Sequence, residues 1–435
     1  MKTILAAAAV LALIACRLTA QSTPPLTLDD CLALAVDRQP ALAAAQAGLA
    51  AANEAVGEAQ APYYPQFDLY AGFHRWQKRA FLPSGLSLPG HPAPERVGPL
   101  DDWNGGLISR VTLYDFGERR AGLDAALARR AGAEADASTM QAEVRMSVHA
   151  TFYALAAAQD LQTVAGKNLT RTESHLRLAE VRHRAGAVPE ADVLRMQAEV
   201  ASARLQLIRA QSGLRVATGQ LNTAMGRAAE TPLTITVPPV TPPPSDQTDL
   251  GALIERALAH RPEIRSAEKR TAAARANVAA ARAARAPKLR ADGSFGWNDT
   301  VWLPNTREWQ AGLSIDVPVF DAGNRVRRVA RTKADLAREE AILENRRLQI
   351  RQEVWTAAAE LERSWASIAA NETGVRASEE SLRVVQERYQ GGAAVITDLL
   401  DTQTALVRAE ASLATARWEY LAARASFDRA VGGSP

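Results

Sequence analysis

The sequence predicts a mainly α-helical fold with a membrane β-barrel portion, built from two tandem repeats that each hold long coiled-coil helices and one β-hairpin. Three observations predict it. The 435-residue chain matches itself at an offset of 206, and its proline-free stretches keep a seven-residue apolar beat. Four segments of about ten residues also alternate apolar with polar, the length of a tilted membrane strand. A heptad period makes helices coil around one another, and period two with one apolar face is the strand signature.

Composition agrees with long helices. Aromatics are only 5% of the chain, while Ala, Leu, Val, Glu, Gln and Arg crowd it. The net charge of +3 rests on interleaved signs, and no basic block suggests nucleic acid. His74, His91, His149, His175, His183 and His260 show no metal-ligand spacing, and no Walker loop or G-x-S-x-G elbow occurs. The expectation is a protein that is no enzyme, holds no metal or cofactor, and takes its energy from a partner.

From the amino terminus, Lys2 and the short apolar run "TILAAAAVLALIA" read as a secretory signal over residues 1–20. Two processing sites fit: Leu13-Ile14-Ala15-Cys16 resembles a lipoprotein box that would acylate Cys16, and Leu18-Thr19-Ala20 suits cleavage before Gln21. Cys31 then has no certain partner, so it reads as a small apolar residue on a helix and not as part of a disulfide framework.

Repeat one spans 26–226, the proline-rich linker 227–248, and repeat two 249–431, each repeat running helix, strands, very long helix, turn, helix. The offset of 206 pairs Trp103 with Trp309, Gly186 with Gly392, Asp192 with Asp398, and Gln197 with Gln403. It also pairs Asp115-Phe116-Gly117 with Asp321-Ala322-Gly323. The first of these is the magnesium triplet of a kinase, but no other kinase motif is present, and a metal ligand needs no twin. Pro62 pairs with Pro287 at 225, so repeat one holds 19 extra residues within His74 to Asp102, a stretch that reads as a long loop.

Phe67, Leu69, Ala71 and Phe73 share one face of the first strand; Leu107, Val111 and Leu113 mark the second. Leu289, Ala291, Phe295 and Trp297 mark the third, and Ala311, Leu313, Ile315, Val317 and Val319 the fourth. Trp76, Trp103, Trp297, Trp302 and Trp309 gather at the loop ends, where a membrane-interface girdle would sit. The helical beat falls on Val354, Leu361, Ile368, Val375, Leu382 and Tyr389, answered by Val148, Leu155, Leu169 and Leu176, with Gln162 and His183 on the remaining beats. After the turns it falls on Leu399, Leu406, Leu413, Tyr420 and Phe427, and on Val193, Val200, Leu207, Leu214 and Leu221. No proline interrupts Gly117 to Arg184, a helix of roughly 100 Å at 1.5 Å per residue. A sheet in lipid must close, known barrels need at least eight strands, and this chain offers four, so copies must pool them. The alternative is a soluble helical rod capped by two hairpins.

From Leu26 onward the chain resembles the TolC-like outer membrane efflux protein family. The resemblance rests on "LTLDDCLALAVDRQPAL" and "LGALIERALAHRPEI" as repeat openings, and on "LYDFGERRA" and "VFDAGNRVR" as strand-to-helix junctions. The turns "RAGAVPEADVL" and "QGGAAVITDLLDTQTAL" are its most specific parts. It implies a homotrimer with a twelve-stranded barrel in outer-membrane lipid and an α-helical tunnel through the periplasm. The tips, Gly186, Ala187, Gly391, Gly392 and Ala393, would meet a periplasmic adaptor that connects to an inner-membrane pump of RND, ABC or MFS type. The function implied is a passive exit duct for efflux or type I secretion; a soluble periplasmic coiled-coil scaffold is the alternative. Asp398 and Asp401 match the family's acidic ring at the pore entrance, with Asp192 and Tyr389 beside it. Asp398 also suits a helix cap after the glycine turn. Ala394 departs from the pattern, standing where the best-known member has a basic latch residue.

Overall fold

The structure is a computed structural model that describes residues 25–77, 80–81, 87–88, 91–92, 96–97, 100–237, 239–241 and 249–433. The expected signal segment, Cys16 and residues 238 and 242–248 of the proline-rich linker lie outside the described residues. The chain forms two compact units. One gathers Met1–Ala44, Ser138–Arg261 and Leu348–Pro435; the other gathers Ala45–Ala137 and Pro262–Arg347.

The first unit is helical. Helix α1 (Leu28–Arg38) starts at a capping box: the Thr27 hydroxyl accepts from the Asp30 N–H, and the Asp30 carboxylate accepts from the Thr27 N–H at 2.9 Å. It stops at Gln39 because Pro40 bars the helical conformation from the residue before it, and α2 (Pro40–Gln60) begins there. The same break separates α5 (Leu250–His260) from α6 (Pro262–Ala283), with Arg261 extended at φ −67° and ψ 130°. Each half therefore opens on two helices where the pattern suggested one.

Helices α3 (Glu118–Arg184) and α7 (Asn324–Gln390) have 67 residues each, and α4 (Glu190–Ala224) and α8 (Ile396–Ala430) have 35 each. The seven-residue beat is the buried seam. Val148, Val354, Leu221, Leu399 and Tyr420 are fully enclosed, while the off-pattern His183 is exposed. Cys31 sits in this core with Phe152, Leu221, Met225 and Tyr420. Burial, helped by the Asp30 charge, pushes its thiol up to about 11, so it stays an inert apolar filler.

Gly226 ends α4 in the left-handed region, at φ +72°, and a Cβ there would lie 2.6 Å from the Arg38 carbonyl oxygen. Gly226→Ala is expected to cost about 1–3 kcal/mol through this backbone clash and the strained φ. A thermal unfolding midpoint equal to that of the parent would contradict it.

The second unit carries a four-stranded antiparallel sheet in the order β1-β6-β7-β8, formed by β1 (Gln66–Trp76), β6 (Leu100–Tyr114), β7 (Lys288–Asp299) and β8 (Arg307–Asp316). Each half of the chain contributes one hairpin, and β6 with β7 joins the two. Among its described residues, the stretch read as a long loop is chiefly antiparallel strand pairs. Strand β1 runs to Trp76 and β6 starts at Leu100, and between them β2 (Ala80–Phe81) pairs with β5 (Arg96–Val97) and β3 (Ser87–Leu88) with β4 (His91–Pro92). Pro92 pairs with Ser87 at the outer end of the two-residue β3–β4 ladder, where a missing backbone donor costs least. Strands β1 and β8 each pair on one side only.

Candidate functional site

Register sorts the sheet into two faces. Leu69 stands opposite Leu107, Leu107 opposite Phe295, and Phe295 opposite Trp309, so one apolar row crosses all four strands. Phe67, Phe73, Val111, Leu289, Leu313 and Ile315 share that face, and Leu69 is 86% exposed and Trp309 74%. The opposite face is polar, with ion pairs Arg110–Asp68 at 3.7 Å and Arg290–Asp316 at 2.9 Å. Leaving an apolar side chain of this size in water forfeits about 1.5–3 kcal/mol. Eight or more such residues on one face select lipid over water as the surrounding medium. Alternation stops at a bulge at Leu113, after which Tyr114 pairs with Leu289.

The five tryptophans have different surroundings. Trp103 packs on Phe73 with ring centroids 4.3 Å apart and meets the edge of Trp302 at 4.5 Å; Trp297 meets Phe295 at 5.4 Å. Trp302 lies between β7 and β8, and Trp309 is open on the apolar face. Trp76 shares the polar face with His74, and its indole N–H donates to Asp102 at 3.0 Å.

The twin junctions below the sheet are built alike. The Asp115 carboxylate accepts from the Gly117 and Arg119 N–H groups and from the Arg119 guanidinium at 2.8 Å, while Phe116 and Gly117 take positive φ. Asp321 does the same with Gly323 and Arg325, with Ala322 and Gly323 at positive φ. Burial pushes the Asp115 carboxyl up, but the Arg119 contacts and the Gly117 N–H outweigh it and hold the group below its ordinary value. The triplet that imitates a metal site is thus a helix start.

At the far ends of the long helices, both turns close as Schellman motifs. The Ala187 N–H donates to the Arg182 carbonyl at 2.9 Å, and the Ala393 N–H to the Arg388 carbonyl at 2.8 Å. Gly186 and Gly392 supply the left-handed residue at φ +73° and +77°. Ala187, Gly391 and Ala393 are exposed. Tyr389 is buried against Leu382, Ile396 and Leu399, and Ala394 packs on the same cluster. The Arg182 guanidinium donates to the Tyr389 carbonyl and lies over its ring at 5.0 Å, a clasp between the two turns. Burial first and the Asp192 charge second push the Tyr389 phenol up, against Arg182.

Helix α8 is N-capped by Val395 with no side chain accepting its free N–H groups, so Asp398 does not cap it. Asp398 and Asp401 are exposed, Asp192 is half-buried, and none of the three makes an ion pair within 4 Å among the described residues.

Residues 31–227 and 253–433 match the outer membrane efflux protein family. The chain belongs to the outer membrane efflux protein family. It is 30% identical to the pyoverdine export outer membrane protein OpmQ of Pseudomonas aeruginosa, over 93% of this chain and 85% of that protein. It is 29% identical to Protein CyaE of Bordetella pertussis, over 94% and 86%. Among solved structures, the outer-membrane channel OprN superposes with a TM-score of 0.83 at 25% identity, covering 93% of this chain and 90% of that one. VceC of Vibrio cholerae superposes at 0.79 with 20% identity, a likeness of fold. This efflux protein is an outer-membrane channel with a periplasmic helical part. No described helix is long and apolar enough to cross a membrane, and the apolar sheet face is the element suited to lipid.

The clasp residue Arg182 is what sequence reasoning missed. Its signal was present: Arg182 and its counterpart Arg388 both lie in the last helical turn, where cations meet free carbonyls. A buried polar knot was also hidden in the heptads. The Gln403 amide donates to Asn168 at 2.9 Å and to Thr172 at 2.6 Å, all three enclosed.

His175, one turn beyond Thr172 on α3, has its ring pKa lowered from 6.5, by burial first and by the Arg171 charge second. The unfolded chain therefore binds the proton more readily than the folded efflux protein. This contribution is complete above about pH 6.5 and is lost as pH falls toward the lower folded value. Unfolding at pH 5 should be easier than at pH 7.5, and His175→Leu should reduce that difference; an undiminished pH dependence in the variant would discount His175.

Proposed function

We propose that three copies of the chain join their sheets edge to edge into a twelve-stranded barrel, and that their helices continue it as a periplasmic tunnel. The observation behind this reading is the sheet itself, with one exposed apolar face, one charged face and two open edges. In lipid each unpaired backbone group costs several kcal/mol, and pairing β1 of one copy with β8 of the next removes every open edge. The equal lengths of α3 and α7, and of α4 and α8, support repeats over 26–226 and 249–431 separated by the linker 227–248.

The assembly is a passive exit duct. An adaptor engages the tips at Gly186, Ala187, Gly391, Gly392 and Ala393, and an inner-membrane pump behind it supplies energy and chooses the cargo. Asp398 and Asp401 of three copies place six carboxylates at the mouth, a ring that favours cations. Trp103, Trp297, Trp302 and Trp309 anchor the barrel at the membrane interface, and Trp76 stands at the same level on the lumen side.

Membrane fractionation and planar-bilayer recording test this together. The protein should resist salt extraction, dissolve in detergent, and give steady single-channel currents after reconstitution. Release by salt alone would favour a soluble periplasmic scaffold and end the duct reading.

A further inference from the structure

The second unit holds a cavity of about 440 Å³ between α3, α6 and α7 that the channel function does not use. Five arginines line it: Arg129, Arg270, Arg328, Arg331 and Arg338. They face only two lining carboxylates, Asp335 and Glu339, and Arg338 pairs with both. Arg270 pairs with Asp136 at 2.9 Å. Arg129 donates to the neutral amide of Asn277 at 3.1 Å, and among the described residues neither Arg328 nor Arg331 has a carboxylate within 4 Å. Arg129, Arg328 and Arg331 thus line one cavity without an ion pair of their own among the described residues. All three are exposed, so their N–H donors are open to an anion.

Position adds to charge. Arg328 and Arg331 lie in the first turns of α7, about 6–10 Å along the helix from its start at Asn324, at 1.5 Å per residue. Asn277 is six residues from the end of α6, which leads into β7. The segment between β8 and α7 leaves Val317, Val319 and Phe320 exposed just before the cavity-lining helix begins. Apolar surface followed by unpaired guanidiniums suits a molecule with an acyl part and an anionic head. The positive charge and N–H donors of the guanidiniums suit phosphoryl oxygens.

We propose that this cavity binds a phosphoryl anion, either the headgroup of an anionic phospholipid in the facing leaflet or a soluble phosphate. The lipid source rests on the sheet lying in the membrane, and the soluble source does not. The channel itself keeps the Asp398 mouth and its conductance in either case, so failure here is separable from failure of the duct.

The test uses the full-length protein, reconstituted in nanodiscs of equal phosphatidylglycerol and phosphatidylethanolamine and then analysed by native mass spectrometry. Phosphatidylglycerol should be retained over phosphatidylethanolamine, and the pair Arg328→Gln with Arg331→Gln should reduce that enrichment about tenfold or more. The pair Arg328→Lys with Arg331→Lys should keep most of it, since charge is preserved, and serves as the control for folding. In a second arm, inorganic pyrophosphate is titrated calorimetrically in detergent. Binding lost in the glutamine variant, with no lipid discrimination, supports the site and assigns it to soluble phosphate. Equal lipid retention and equal pyrophosphate binding in parent, glutamine and lysine forms overturn the proposal.

Discussion

Gly106→Val is expected to abolish outer-membrane assembly. Gly106 faces Gly296 across the β6–β7 pairing, the only ladder that joins the two hairpins among the described strands. A Cβ on Gly106 would lie 2.5 Å from the Phe295 carbonyl oxygen and 2.6 Å from the Gly296 Cα. Both obstacles are backbone, so no side chain can swing aside, and the strands must separate. Overpacking of this kind costs about 1–3 kcal/mol or more, and here the loss falls on a sheet that is useful only when closed. Gly105 is the internal control. A Cβ there meets only ordinary contacts at 3.5 Å and beyond, so Gly105→Ala should assemble normally. Semi-native electrophoresis of membrane fractions reads both outcomes. A fully assembled Gly106→Val protein would mean that the hairpins are joined in some other way.

Replacing both Asp398 and Asp401 with alanine is expected to weaken block by a trivalent cation in planar bilayers at least about tenfold, or ~1.4 kcal/mol. The two carboxylates are three residues apart on α8, so they neighbour each other on one helix face. Both are exposed and free of ion pairs among the described residues, leaving their charge available to a passing cation. Since Val395 and not Asp398 occupies the cap position, the substitution removes charge without removing a cap. Folding should therefore be nearly unchanged, which circular dichroism checks. Block as strong as in the parent would remove these residues from the pore entrance.

Much of this architecture is readable from residue order because it is periodic. A buried seam needs an apolar group every seven residues, and Val354, Ile368, Leu382 and Leu399 announce it without any knowledge of neighbours. The alternation in β1, β6, β7 and β8 is equally local. What escaped depends on spacing in three dimensions or on a single special residue. The strand pairs beyond Trp76 were masked by their proline and glycine content, although backbone pairing tolerates both at the end of a ladder. Pro40 and Pro262 divide helices that read as continuous because the apolar pattern passes through them. The contact of Arg182 with Tyr389 joins residues 207 positions apart, so the last-turn cation was visible in the sequence while its partner was not. Gln403 was visible as the counterpart of Gln197, but its burial beside Asn168 and Thr172 follows only from packing.

The matched lengths of the helices, 67 with 67 and 35 with 35, bear on how such a gene can evolve. Residue identities have drifted freely between the halves, yet an insertion or deletion in one strut alone would shift its tip out of step with its counterpart. Tolerated indels in the struts should arise as compensated pairs or in multiples of the seven-residue beat. Unpaired length changes should collect in the hairpin ends and the linker.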